Sequence, residues 1–145
     1  IAAYFLNFVL AGIGLTRQLT DFISGFGLSS YATLGLVILF YVILGFFMET
    51  LTLMITTIPI TAPIIIAAGF DPVWFGILLM VLIETALVTP PIGLNLYVVQ
   101  GIRKHGSIND VIVGTLPFVV AMVVMIGLLV AFPSLALLLP DLASN

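Results

Sequence analysis

Charged residues are scarce in this chain. Of 145 residues, only 3 are Lys or Arg and 6 are Asp or Glu, while 63% are hydrophobic. A soluble domain carries roughly 25% charged residues, so this chain has too little polar surface to cover a water-soluble globule. Three basic residues also cannot form a phosphate-binding patch, which excludes a nucleic-acid-binding protein. The composition therefore predicts an integral membrane protein.

Cysteine is absent, and histidine occurs once, at His105. The lack of cysteine excludes disulfide scaffolds, thiolate metal sites and cysteine nucleophiles. A single histidine leaves no second imidazole for a histidine metal site. We find no Ser/His/Asp set, no metalloprotease spacing and no phosphate-binding loop. The sequence therefore predicts a protein that is not an enzyme and that needs no organic cofactor.

Long apolar runs divide the chain into candidate membrane segments of roughly 20 residues each. The pattern predicts one all-α transmembrane domain over residues 1–145. Because the first run is short and no initiator methionine precedes it, we expect a fragment of a longer protein or a processed chain. Its predicted parts are a truncated helix with an interfacial segment (1–30), a transmembrane helix (31–48), a re-entrant hairpin (49–70), a discontinuous helix (72–102) and a last transmembrane helix (111–132).

The apolar stretch 31–70 contains Glu49 as its only charge. As one straight helix it would be about 60 Å long, twice the hydrocarbon thickness, so it must fold back. The second half has helix-breaking prolines at its centre. We predict two half-length helices that meet at Thr56–Thr61 in a re-entrant hairpin. The alternative is a single proline-kinked spanning helix.

A second interruption is predicted at T-P-P-I-G-L-N, residues Thr89 to Asn95. Pro90 and Pro91 remove two adjacent amide donors, and Gly93 loosens the chain further. The helix should break here and leave backbone carbonyls free. In hydrocarbon, such backbone is tolerated only inside protein or beside a wet cavity. A polar loop outside the membrane is the alternative, but the next strong polar marker comes only at residue 103.

Two successive broken elements are how secondary transporters build sites for a substrate and a coupling ion. Hydroxyl groups and freed carbonyls supply the neutral oxygens that sodium prefers. Taken singly, each threonine is better explained by a hydrogen bond to the carbonyl four residues earlier. The candidate substrate- and ion-binding residues are Thr56, Thr57, Pro59, Thr61, Thr89, Pro90, Pro91, Gly93 and Asn95, with sodium placed at Thr89, Gly93 and Asn95.

Two carboxylates are predicted at membrane depth, where such groups are costly and usually functional. Glu84 lies 12 residues beyond Pro72, which is about 18 Å along a helix. It could be a proton or cation group, or it could pair with a neighbouring helix. Glu49 opens the predicted hairpin near the outer interface, where stabilising a helix N-terminus is its better-supported role.

The basic residues predict the orientation. By the positive-inside rule, Arg17 and the pair Arg103-Lys104 should be cytoplasmic. Both sites fall on one side only if 49–70 does not span the membrane. The C-terminus is then periplasmic.

Three runs carry a family resemblance. They are F-F-M-E-T-L-T-L-M-I-T-T-I-P-I-T-A-P-I, G-F-D-P-V-W-F-G-I-L and T-P-P-I-G-L-N-L-Y-V. Together they closely resemble the large membrane subunit of TRAP (tripartite ATP-independent periplasmic) transporters of the dicarboxylate-permease (DctM) type. The resemblance covers nearly the whole chain and implies the C-terminal third of that subunit. It also implies one inverted repeat of an elevator-type, ion-transporter-like fold.

The resemblance implies a permease subunit of a sodium-coupled, binding-protein-dependent secondary transporter. Such a transporter imports organic acids, for example C4-dicarboxylates or sialic acid, across the bacterial inner membrane. The implied partners are a periplasmic substrate-binding protein and a small membrane subunit, and sodium is the coupling ion. Thr56–Thr61 would be the hairpin tip and Thr89–Asn95 the sodium-binding segment. One departure is Glu49-Thr50, where many members have Asp-Pro.

Two other functions stay open on the sequence. One is a related permease of the ion-transporter superfamily that works without a binding protein. The other is a membrane scaffold protein that transports nothing.

Overall fold

The computed structural model describes residues 27–90, 93–103 and 105–143, with scattered positions before residue 27 (5, 8–9, 12–14, 17–18, 21–22 and 25). All regular structure in this described part is helical. The predicted first helix and interfacial segment lie mostly outside it. The helices are α1 (Ser30–Gly45), α2 (Thr50–Ala67), α3 (Pro72–Val88), α4 (Leu94–Ile102), α5 (Ile108–Ala131) and α6 (Ser134–Ala143).

Polar caps set where four of these helices begin. The Ser29 hydroxyl accepts a hydrogen bond from a first-turn N–H group of α1, and the Glu49 carboxylate does the same for α2. Asp71 caps α3, with Pro72 in the first turn, where its missing N–H costs nothing. At the start of α5, the Asp110 carboxylate accepts the Ser107 N–H at 2.8 Å. Local chemistry therefore fixes these helix starts.

Helices α1 and α2 form an antiparallel pair. The Tyr41 hydroxyl of α1 lies 2.7 Å from the Oγ1 atoms of both Thr57 and Thr61 in α2. At the other end of the pair, the Tyr31 ring packs edge-on against Phe70, with ring centroids 5.7 Å apart. The chain therefore reverses at the short turn 46–49 between the two helices.

The predicted pair of half-helices meeting at Thr56–Thr61 is wrong, because α2 is one helix over Thr50–Ala67. Pro59 and Pro63 lie inside it. Each proline removes one N–H donor, but the buried residues Leu53, Ile64 and Ile65 hold α2 against its neighbours. Packing therefore outweighs the two lost hydrogen bonds. The reversal that the sequence argument placed within α2 occurs before it.

Helix α3 is the centre of the bundle, packed by α1, α2 and α5. The Trp74 indole N–H donates to the Leu129 carbonyl of α5 at 2.8 Å, so the start of α3 lies beside the end of α5. Helices α3 and α5 are thus antiparallel. The buried side chains of α3 form most of the core: Trp74, Phe75, Leu78, Leu79, Leu82, Ile83 and Leu87.

The C-terminal end of α3 lies beside the interior of α5 and not beside its N-terminus. Val88 shares a cavity with Gly114 and Thr115, which are two turns into α5. At 1.5 Å per residue, α3 therefore stops roughly 10 Å short of the start of α5, a helix about 36 Å long. A Cβ atom on Gly45 would lie 2.4 Å from the Cβ of Ala86, so α1 ends at the same level. The turn 46–49 and the end of α3 are both at depth if α5 spans a membrane.

Helices α2 and α5 are long and apolar enough to cross a membrane, and α1 and α3 are shorter apolar helices. Only 6% of the most apolar window of α5 is buried inside the structure. Large apolar side chains cover the exposed surface of α5, among them Val113, Phe118, Val120 and Val124. The chain therefore has the helical architecture of a membrane protein.

The predicted orientation argument fails on one point. It placed Arg17 and Arg103 on the same face of the membrane, with the helix that begins at residue 31 crossing outward from that face. In the structure, Ser30 lines a cavity with Trp74 and Pro133 at the C-terminal end of α5. Arg103 lies 3.8 Å from Asp110 at the N-terminal end of α5. Ser30 and Arg103 are therefore at opposite ends of the bundle. Helix α1 leaves the end where Ser30 lies, α2 returns to it, and α3 then leads to the other end. Lys104 lies outside the described residues.

The contact between Gly45 and Ala86 predicts that α1 and α3 tolerate no side chain at this crossing. Gly45→Ala should lower the free energy of unfolding by about 1–3 kcal/mol through overpacking. Gly35→Ala is the matched control, since a Cβ there meets no atom within 4 Å. Thermal unfolding of both variants in detergent tests this. Equal stability of the two variants would contradict the close contact.

Candidate transport site

The turn between α1 and α2 and the gap between α3 and α4 open onto one cavity. Its volume is about 730 Å³. It therefore gathers residues from three elements that are distant in sequence. The lining residues are Glu49, Thr50, Glu84, Leu87, Leu94, Asn95, Tyr97 and Val98.

The predicted helix break is present. Helix α3 ends at Val88 and α4 begins at Leu94, although Pro91 and residue 92 lie outside the described residues. The Gly93 N–H donates to the Thr89 carbonyl at 3.1 Å. A Cβ on Gly93 would lie 2.6 Å from the Leu87 carbonyl oxygen and 3.0 Å from that of Thr89. Two carbonyl groups thus converge on a position that only glycine fits.

Of the predicted residues on α2, Thr57 and Thr61 lie between α1 and α2 and away from the cavity. They are only 6% and 4% exposed. Besides Tyr41, each has a carbonyl of its own helix as partner, Leu53 O at 2.7 Å for Thr57 and Thr57 O at 3.1 Å for Thr61. These two hydroxyls serve the packing of the hairpin.

Thr56 and Pro59 lie on the other side of α2. The Thr56 hydroxyl donates to the Thr52 carbonyl at 2.7 Å, and the Thr52 hydroxyl donates to the Glu49 carboxylate at 3.1 Å. The four predicted residues of α2 therefore belong to two opposite faces. The face with Thr56 and Pro59 is connected to Glu49 by hydrogen bonds through Thr52.

At the break, the predicted residues differ in what they present to the cavity. Asn95 lines it directly and also lines the neighbouring cavity beside α5. The Thr89 hydroxyl donates to the Thr85 carbonyl, so its hydrogen is used within α3. Thr89 and Pro90 are half-buried, and Gly93 is buried against the last turn of α3. The predicted sodium residues thus combine one side-chain amide with backbone oxygens.

Both predicted carboxylates reach the same cavity. The Glu49 carboxylate accepts the N–H groups of Leu51 at 2.8 Å and Thr52 at 3.1 Å, so it has the expected N-terminal role. Glu84 lies four residues before the end of α3, roughly 6 Å along the helix. Among the described lining residues there is no Lys, Arg or His. The described part of the cavity wall therefore holds two carboxyl groups and no basic side chain.

A family model described as "Tripartite ATP-independent periplasmic transporter, DctM component" matches residues 1–135. The chain belongs to the DctM family.

Curated relatives of this DctM-family chain carry different substrate names. It is 34% identical over 140 residues to a C4-dicarboxylate TRAP transporter large permease protein of Rhodobacter capsulatus, covering 97% of this chain and 32% of the relative. It is 32% identical over 138 residues to the sialic acid permease SiaM of Vibrio cholerae, covering 94% and 32%. It is 38% identical over 97 residues to the ectoine permease TeaC of Halomonas elongata, covering 67% and 22%.

The chain thus spans about a third of the length of the first two relatives. No solved structure matches it significantly.

The runs that resemble DctM permeases coincide with the connections between helices. F-F-M-E-T covers the turn between α1 and α2, and G-F-D-P leads into α3. T-P-P-I-G-L-N covers the gap between α3 and α4. Sequence reasoning missed the turn as part of the site because it gave the prolines of α2 more weight than Glu49. The signal was a lone carboxylate in a 40-residue apolar stretch.

The Tyr41 contacts predict a small stability effect in this DctM-family chain. Tyr41→Phe should cost about 1 kcal/mol, the usual net worth of a hydrogen bond, because Thr57 and Thr61 keep their backbone partners. Tyr31→Phe, at an exposed position, is the control. Thermal unfolding in detergent measures both. Complete loss of folding in Tyr41→Phe would show that the hydroxyl does more than join two helices.

Proposed function

We propose that the chain forms part of the permease of a sodium-coupled, binding-protein-dependent secondary transporter that imports an organic acid. The observation that supports this most is the meeting of the 46–49 turn and the α3–α4 break at one cavity. Transporters place substrate and ion sites where interrupted helices meet near the midplane. The inverted repeat and the elevator-type motion of the family are part of the same proposal.

Two helix N-termini at the cavity favour an acidic substrate group. Helices α2 and α4 both begin there, at Thr50 and Leu94. The N-terminus of a helix presents unpaired N–H groups and a partial positive charge, which attract carboxylates. Glu49 occupies two of the N–H groups of α2, whereas α4 has no side-chain cap. The start of α4 is therefore the better place for a substrate carboxylate.

The charge balance of the cavity supports the proposal of sodium coupling. Glu49, Glu84 and an anionic substrate would repel one another in a low-dielectric site. A bound cation offsets that repulsion, so substrate and sodium stabilise each other. The Asn95 side chain and the backbone oxygens around Gly93 are suitable neutral ligands for sodium.

The remaining parts of the proposal concern partners and location. Arg103 and Lys104 belong to the segment that connects α4 and α5. The positive-inside rule places this segment in the cytoplasm. The C-terminal end of α5 is then periplasmic, in the bacterial inner membrane. A periplasmic substrate-binding protein would deliver the substrate, and a small membrane subunit would complete the complex. The words "tripartite" and "periplasmic" in the family description support both partners.

Uptake by the whole permease, reconstituted with its small subunit and binding protein, tests the function. We expect accumulation of radiolabelled succinate or sialic acid only with an inward sodium gradient and with the binding protein present. Uptake that persists without the binding protein would favour the related permease. Absence of uptake of both compounds in a folded complex would contradict import of a C4-dicarboxylate or of sialic acid.

The proposed ion site predicts the effect of removing the Asn95 amide. Asn95→Ala should raise the sodium concentration for half-maximal uptake by about tenfold, equivalent to the loss of roughly 1.4 kcal/mol of binding. Asn109→Ala is the matched control, since Asn109 is exposed in the first turn of α5 and does not line the cavity. An unchanged sodium dependence in Asn95→Ala would exclude it as an ion ligand.

A further inference from the structure

The side of helix α2 opposite Thr57 carries polar groups and is partly exposed. With 3.6 residues per turn, Thr52, Thr56, Pro59 and Pro63 share the side opposite the one that carries Thr57. Thr52 is exposed and Thr56 is half-buried. We call these four residues the outer face of α2.

The two prolines leave backbone oxygens of this face without their helix partners. Proline has no N–H, so Pro59 cannot donate to the Ile55 carbonyl, and Pro63 cannot donate to the Pro59 carbonyl. The two acceptors are one turn apart, and Ile55 itself is 47% exposed. In hydrocarbon such carbonyls are costly unless they are covered by protein or hydrated. A lipid-facing position for the outer face is therefore unfavourable.

The outer face is continuous with the cavity. Glu49 lines the cavity and accepts a hydrogen bond from the Thr52 hydroxyl. The Thr56 hydroxyl donates a hydrogen bond to the Thr52 carbonyl. From Glu49 to Pro63 the polar groups extend for about 20 Å along the helix. They lead from the cavity toward the end of the bundle where Ser30 and Trp74 lie.

The exposed side of α5 shows what a lipid-compatible surface looks like in this chain. It contains one proline, Pro117, which frees a single carbonyl. Its exposed neighbours are apolar, with Phe118 67% and Val120 60% exposed. The Thr115 hydroxyl donates a hydrogen bond to the Val111 carbonyl of the same helix. The outer face of α2 therefore differs from α5 in having two freed carbonyls and a hydroxyl chain.

We infer that the outer face of α2 lines a water-filled path that leads from the Trp74 end of the bundle to the cavity, and that a polar solute moves along it. The inference rests on the proposed transport function for the identity of that solute. The hydration of the face is inferred from its two freed carbonyls and its continuity with the cavity, independently of what is transported.

Cysteine accessibility tests the path, and the absence of cysteine from this chain makes it a clean background. Thr52→Cys and Thr56→Cys would be made singly in the whole permease, otherwise free of cysteine, in membrane vesicles. The probe is a membrane-impermeant trimethylammonium methanethiosulfonate. Val120→Cys near the middle of α5 is the lipid-facing control.

We expect the outer-face cysteines to react more than about tenfold faster than Val120→Cys, because the reacting thiolate forms only in water. Reaction rates as low as that of Val120→Cys at both Thr52 and Thr56 would overturn the path and indicate a face covered by protein or lipid. Labelling requires no transport. Labelled outer-face cysteines in a permease that shows no sodium-driven uptake would keep the path and refute the proposed function.

Discussion

A backbone polar group inside a bilayer has to find its partner within the protein or in a wet cavity, and the arrangement of this chain depends on that constraint. The chain has 8 prolines in 145 residues, and each proline beyond the first turn of a helix frees a carbonyl. The structure places helix ends together rather than scattering them. The turn 46–49 and the gap between α3 and α4 share one cavity, so unpaired groups at both interruptions can be hydrated by the same water.

The threonines show how the same constraint separates packing from function. Within helices, the hydroxyls of Thr57, Thr61, Thr85 and Thr115 donate to carbonyls of their own helix. A threonine that bonds in this way is compatible with an apolar neighbour, so its presence at membrane depth is weak evidence of a ligand. Asn95 cannot satisfy a whole amide locally, and it is the predicted residue that lines both the main cavity and the one beside α5.

Sequence patterns predicted the second interruption well and the first one poorly, for a physical reason. Two adjacent prolines remove donors and Gly93 allows close approach of carbonyls, and the structure ends α3 at Val88 and begins α4 at Leu94. Pro59 and Pro63 are four residues apart, and each removes only one donor from a helix whose buried side holds it in place. The direction of each helix face was not predictable, because α1 and α3 are apolar on all sides and their periodicity does not distinguish core from lipid. The Tyr41 contact, which sets that direction, is a tertiary feature.

Trp74 of α3 supplies a hydrogen bond to the last turn of α5. Residue 133, four positions after Leu129, is proline and offers no N–H to the Leu129 carbonyl, and the Trp74 indole takes that place at 2.8 Å. The last turn of α5 therefore lacks one of its hydrogen bonds until α3 has docked beside it. During insertion, α5 can enter the bilayer as a helix, but its C-terminal end becomes fully bonded only in the assembled bundle. Completion of that turn is thus a late event that reports correct assembly of the two helices.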